Sequence, residues 1–130
     1  MPGSWVKVNS MPVRSLNSSV FKWPDLNTVH LALLSWVEEQ AKERPELLRV
    51  GYFGSYARGD WGVNSDLDLI CIVENSQTPF WQRPIEWDLT NLPVPTDMLV
   101  YTREEWDSMA ERGERFYQVI QQEAVWVYER

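Results

Sequence analysis

At 130 residues, with 44% hydrophobic and 24% charged side chains, the chain has the size and make-up of one globular domain with a modest core. Its net charge of −7 argues against a broad, sequence-independent grip on DNA or RNA, because that affinity comes chiefly from neutralising phosphates. The sequence has no apolar run of membrane-spanning length and no signal-peptide pattern, and its one cysteine, Cys71, excludes a disulfide framework, so a cytoplasmic location is expected.

Met1 to Trp23 is rich in Pro, Ser and Asn without sustained periodicity. It reads as an extended N-terminal arm over residues 1–24, with Met11 a second candidate start, ahead of a single domain over 25–130. Asp25 is placed to cap a helix from Leu26 to about Arg44. Leu26, Val29, Leu33, Val37 and Ala41 recur there at spacings of three and four, Glu38 and Lys42 form a favourable i,i+4 pair, and Pro45 ends it. His30 lies on or near that apolar face; with no second His or Cys cluster it reads as packed rather than as a ligand. Leu47 to Phe53 (LLRVGYF) follows as a buried strand, then a turn at Gly54 and a short helix from Ser55 to Arg58.

Asp66 to Val73 (DLDLICIV) is the next strand. Asn75 to Pro95 carries Pro79, Pro84, Pro93 and Pro95, which leaves room only for a short helix around Arg83 to Leu92. Thr96 to Tyr101 is a third strand, and Thr102 with Glu105 makes a capping box for a helix through about Ala110. Glu114 to Glu123 makes another helix with Phe116, Val119 and Ile120 inward, and Ala124 to Tyr128 alternates like a final strand. No repeat or second domain is evident. This order predicts an α/β fold, a mixed sheet with helices mainly on one face.

The chemistry concentrates in the middle. At Gly54 the backbone can approach a ligand closely and Ser55 adds a hydroxyl, so unpaired N–H groups at the start of the Ser55 helix would favour an anion, most simply a triphosphate. Ten residues later, the period of two puts Asp66 and Asp68 on one strand face, roughly 6.6 Å apart at Cα. Two carboxylates that close repel by about 2–3 kcal/mol at an effective dielectric near 20. A divalent cation turns that repulsion into coordination, and oxygen ligands suit Mg2+ or Mn2+. Asp97, near the start of its strand, can complete a triad. Each feature has a plainer reading: Gly-Ser is a common turn, Asp-x-Asp a solvated strand start, and Asp97 turn chemistry after Pro95-Thr96. Gly54 and Gly59 imitate a P-loop, but Asp60 and Trp61 stand where Lys and Ser or Thr are required. Of the eight tryptophans, Trp36, Trp106 and Trp126 sit in periodic segments and read as core. Trp61, between the halves of the motif, is placed to flank a nucleotide or a partner surface.

With Gly-Ser, ten residues, Asp-x-Asp and a later strand Asp, the chain resembles the nucleotidyltransferase superfamily of DNA polymerase beta and kanamycin nucleotidyltransferase. It is most similar to the small members, the minimal nucleotidyltransferases (MNT). GSYARGD, from Gly54 to Asp60, matches a stretch in which many members carry Gly-Ser-Arg-Ala-Arg-Gly-Asp. The resemblance runs from about Val29 to the C-terminus. Tyr56 stands where an Arg is common and Gly62 where many members have a second basic residue, which leaves phosphate contact to Ser55, Arg58 and backbone amides.

The resemblance implies a fold of the same type and two Mg2+ ions (or Mn2+) held by Asp66, Asp68 and Asp97. It also implies a nucleoside triphosphate, ATP, oriented by Gly54, Ser55 and Arg58, and transfer of AMP to an acceptor hydroxyl. Because the chain has no evident acceptor domain, a protein partner is expected. Small MNT proteins often pair with a HEPN-domain toxin and transfer AMP to its tyrosine, an antitoxin role. The alternatives are a nucleotidyltransferase subunit acting on a small metabolite or another protein, and a non-catalytic nucleotide-binding scaffold. Association with a second copy stays open.

Overall fold

A computed structural model describes residues 23–130, and the N-terminal arm, with Met11, lies outside the described residues up to Lys22. The chain enters at Trp23, whose indole N–H donates to the Ser65 carbonyl at 3.2 Å. Helix α1 (Leu26–Glu43) starts where expected, with the Asp25 carboxylate accepting the Thr28 N–H at 2.8 Å. This cap satisfies one of the amides a helix start leaves unpaired. The chain then makes β1 (Leu47–Phe53), a single-turn helix α2 (Ser55–Arg58), β2 (Leu67–Val73) and a 3-10 segment (Phe80–Glu86). It ends with β3 (Thr96–Thr102), α3 (Arg103–Glu111), α4 (Arg115–Glu123) and β4 (Val125–Glu129). Among the described residues no helix is long and apolar enough to cross a membrane.

The strands form one mixed sheet in the order β3-β2-β1-β4, with β1 antiparallel to β2 and β4, and β2 parallel to β3. A parallel pair needs a crossover rather than a hairpin, and residues 74–95 supply it. β2 is covered on both sides. Leu67, Leu69, Cys71 and Val73 pack in one cluster with Val29, Leu33, Trp36 and Val37 of α1. Ile70 and Ile72 pack in another with Trp106 and Met109 of α3 and Ile120 of α4. A strand buried on both faces reads as a continuous apolar run rather than as an alternation, which is why DLDLICIV looks as it does. Each fully buried Leu or Ile contributes about 1.5–3 kcal/mol, so the sheet is held from two sides.

The α/β class and the mixed sheet stand, but the helices are shared between the faces: α1 on one, α3 and α4 on the other. The helix expected at Arg83 to Leu92 is replaced by the earlier 3-10 segment, which contains Pro84 and closes with Trp87 N–H on the Pro84 carbonyl at 3.1 Å. A proline inside the segment removes one donor and clashes with an α-helical carbonyl. Arg83, 5% exposed, crosses this segment and ties it to the sheet and α3. It donates to the Thr78 and Val100 carbonyls and, through both terminal nitrogens, to Glu105 at 2.6 and 3.0 Å. Glu105 also closes the capping box with Thr102, as the sequence suggests.

Candidate active site

Strand pairing brings two of the three expected aspartates side by side. Asp68 pairs in register with Asp97 across the parallel β2–β3 ladder and with Phe53 across β1. Register neighbours point to one face, and along β2 that is the face of Ile70 and Ile72, toward α3 and α4. Asp66 sits one residue before β2 rather than within it, and like Asp97 it is exposed. Asp68, between them in the chain, is partly buried. Burial, then the charges of Asp97 and Asp66, raise the Asp68 carboxyl above the ordinary range; Arg58 opposes them and Glu123 adds to them.

Gly54 presses on this carboxylate. Its φ of 79° and ψ of −152° lie in a region that essentially only glycine adopts. A Cβ there would overlap Asp68 Oδ2 and stand 3.2 Å from Asp68 Cγ. The turn is therefore packed against Asp68 by the absence of a side chain. Phe53, just before it, meets Phe116 near the start of α4 edge-on at 5.8 Å, and the last residue of that helix reaches the turn itself. There the Gly54 N–H donates to Glu123 Oε2 at 2.6 Å. Glu123 Oε1 lies 3.5 Å from Arg58 Nη1, and Arg58 Nε donates to Asp60 at 3.1 Å. An open groove of about 440 Å3 between α2 and α4 is lined by Ala57, Arg58, Val119, Gln122 and Glu123. A larger hollow, about 640 Å3, lies among Glu74, Arg83, Tyr101 and Thr102 and holds none of the motif residues, so its size does not mark the chemistry.

In the sequence Glu123 reads only as the end of a helix. One signal was present: an acid at a helix C-terminus opposes the macrodipole, so it needs another reason to be there. Tyr56, noted as standing in place of an arginine, is fully buried and its hydroxyl donates to the Pro24 carbonyl at 3.0 Å. Position 56 thus points into the core rather than toward a phosphate. Trp61 stacks on Tyr56 at 5.7 Å with 11° between the rings, in the α1-side cluster. That is not the face Asp68 and Asp97 share. Trp36 and Trp106 are buried and Trp126 packs partly buried against the second cluster, in keeping with a core role. His30 is packed as expected, its Nδ1 3.1 Å from the Tyr52 hydroxyl.

The donor set is oxygen only, the chemistry Mg2+ and Mn2+ prefer, and the repulsion raising Asp68 is the kind a dication relieves. Among the described residues no group of three or more His, Cys, Asp or Glu side chains is arranged to hold an ion alone. Mg2+ typically binds through one or two carboxylates plus substrate phosphates rather than in an all-protein cage, so the Asp68–Asp97 pair fits such an ion.

The sequence profile of the nucleotidyltransferase domain matches residues 34–127. The fold is similar to that of a protein described as a nucleotidyltransferase from Sulfolobus solfataricus, with a TM-score of 0.59 and 24% identity over 81% of this chain and 84% of that one. It is also similar to a toxin-antitoxin structure with AMP-PNP, at a TM-score of 0.51 and 16% identity over 75% and 73%. At such identities the likeness is one of fold. No curated protein matches the sequence.

Proposed function

Because this chain belongs to the nucleotidyltransferase domain family, we propose that it transfers AMP from ATP to a hydroxyl acceptor, with Mg2+ or Mn2+ as its ions. The observation that carries the reading is the in-register pair Asp68 and Asp97, with Gly54 held against Asp68. The turn and the carboxylates, separate in the sequence, converge on one place. Asp66, Asp68 and Asp97 would hold the ions, which stabilise charge on the entering and leaving oxygens when bound.

The other roles belong to the chain. Ser55 and Arg58 orient the triphosphate, a positioning task on which phosphoryl transfer depends heavily. Gly54 lets the phosphates approach the backbone. Asp97, exposed at the start of β3, takes the proton of the acceptor hydroxyl as that oxygen bonds to the α-phosphorus. The bond from the α-phosphorus to the leaving oxygen breaks, and pyrophosphate departs.

The acceptor proposed is a tyrosine of a HEPN-type protein. This rests on the MNT resemblance and on the fold shared with a toxin-antitoxin structure with AMP-PNP. Incubating the chain with labelled ATP, Mg2+ and a HEPN-type protein encoded beside it should add one or more AMP groups to that protein by mass spectrometry, and Asp97→Asn should abolish the addition. Modification of a small hydroxyl compound instead would move the acceptor to a metabolite. Absence of pyrophosphate release with every acceptor would leave a nucleotide-binding scaffold.

A further inference from the structure

The phosphate-orienting arginine of the reading above, on which this inference rests, already faces an anion of the protein's own. Glu123 lies 69 residues from Gly54, yet its carboxylate bridges the Gly54 N–H at 2.6 Å and Arg58 Nη1 at 3.5 Å. Its side chain is only 19% exposed, so it is screened less than a surface acid. The two contacts are unequal. The Gly54 bond is short and charge-assisted, whereas Arg58 is half exposed and shared with Asp60. The open groove beside them leaves room for Arg58 to swing without disturbing α4.

We propose that Glu123 is a specificity-determining residue: it keeps the Gly54 turn in place through one oxygen and engages Arg58 through the other until a more highly charged anion takes the arginine away. A guanidinium can exchange a carboxylate for a phosphate, because both match its planar fork. The exchange favours a polyphosphate. A triphosphate brings enough charge to win Arg58 from Glu123 and to bear the remaining repulsion, and a monophosphate such as AMP does so less well. The carboxylate therefore sets a charge threshold at the turn, selecting triphosphate over monophosphate without touching the base or sugar.

The test uses Glu123→Gln, which keeps a carbonyl oxygen for the Gly54 N–H and removes the charge. A non-hydrolysable ATP analogue and AMP, each with Mg2+, are titrated by calorimetry against both proteins and against Arg58→Ala in each background. Glu123→Gln should bind the analogue about 3- to 10-fold more tightly and AMP by a larger factor, so that the preference for triphosphate narrows. Arg58→Ala should cost more affinity in the Glu123→Gln background than in the wild type, because the arginine no longer has a competing partner. A merely structural Glu123 would lower the melting temperature without changing these ratios. Glu123→Asp, which keeps the charge but withdraws it by one methylene, serves if the glutamine variant folds poorly, and should also bind the analogue more tightly than wild type. Equal or weaker analogue binding by a folded variant, or an Arg58→Ala loss that is the same in both backgrounds, overturns the proposal. The parent reading fails separately, and takes this inference with it, if wild-type protein does not bind the analogue or if Ser55→Ala leaves its affinity unchanged.

Discussion

Replacing Gly54 by alanine separates two effects that meet at one atom. At φ 79° and ψ −152°, a side chain costs about 1–3 kcal/mol in backbone strain alone. The new Cβ also overlaps Asp68 Oδ2, and forcing extra volume into a packed site costs roughly another 1–3 kcal/mol. Gly59 supplies the internal control. It too has positive φ, 84°, but an added Cβ meets nothing within 4 Å, so Gly59→Ala should cost only about 1–2 kcal/mol. At roughly 4 °C per kcal/mol for a domain of this size, Gly59→Ala should melt about 4–8 °C below wild type, and Gly54→Ala about 8–24 °C below. The functional split should be wider. Displacing Asp68 by about 1 Å can cost on the order of 100-fold in turnover, while Gly59→Ala leaves the carboxylates in place. Thermal melts by circular dichroism, with pyrophosphate release measured well below both transitions, would read both quantities. If Gly54→Ala melts with Gly59→Ala and releases pyrophosphate at the wild-type rate, the packing of the turn on Asp68 is not what shapes the site.

Asp68→Asn should stabilise the metal-free protein at about pH 7, since the raised carboxyl means that ionising Asp68 costs folding energy. That cost is absent below the ordinary carboxylate pKa and is fully developed once pH has risen through the raised value, so the gap between variant and wild type should close on acidification. Melting curves from about pH 7 to about pH 4 check it, and a variant less stable at neutral pH would contradict it. Glu105 has the opposite sign: its bond to Arg83 holds its carboxyl below the usual range, so its stabilisation is present above the ordinary pKa and fades as pH falls through the lowered one. Glu105→Gln should cost about 1–2 kcal/mol at neutral pH by urea denaturation, less than the roughly 3–5 kcal/mol typical of a broken buried pair because Glu105 is 41% exposed. Tyr56→Phe should lose about 1 kcal/mol with the Pro24 bond, and Tyr56→Arg about 3 kcal/mol or more by burying an unpaired cation. A folded Tyr56→Arg with tighter ATP-analogue binding would show that position 56 does reach the phosphates.

Much of the site could be read along the chain because its parts are local. β1 and the Ser55–Arg58 turn keep their expected bounds, since LLRVGYF is followed by Gly54, whose conformation essentially no other residue adopts. The pairing of Asp68 with Asp97 was within reach because both precede apolar strand segments. What stayed hidden was long-range. A strand apolar on both faces does not reveal which helix covers which side, so α3 and α4 were not separated from α1. Glu123 bonds across 69 residues, and only its awkward place at a helix end hinted at it. Trp61 followed Tyr56 into the α1 side because stacking on a buried ring, not its place in the motif loop, decides where it lies.

Cys71 turns the strand that carries Asp68 into its own reporter. The thiol lies fully buried in β2, three residues beyond Asp68, and burial pushes its pKa far above the usual thiol range. Only the thiolate reacts readily with an alkylating reagent, so labelling requires β2 to leave the sheet. As the chain's one cysteine, it reports that opening without background from a second thiol. A ligand that binds only the closed form reduces opening by a factor of 1 + [L]/Kd, so the slowing of alkylation in each nucleotide or metal solution converts directly to an affinity. Occupancy of the carboxylate end of β2 can thus be followed in the unmodified wild-type chain, with no acceptor present and no catalytic turnover required.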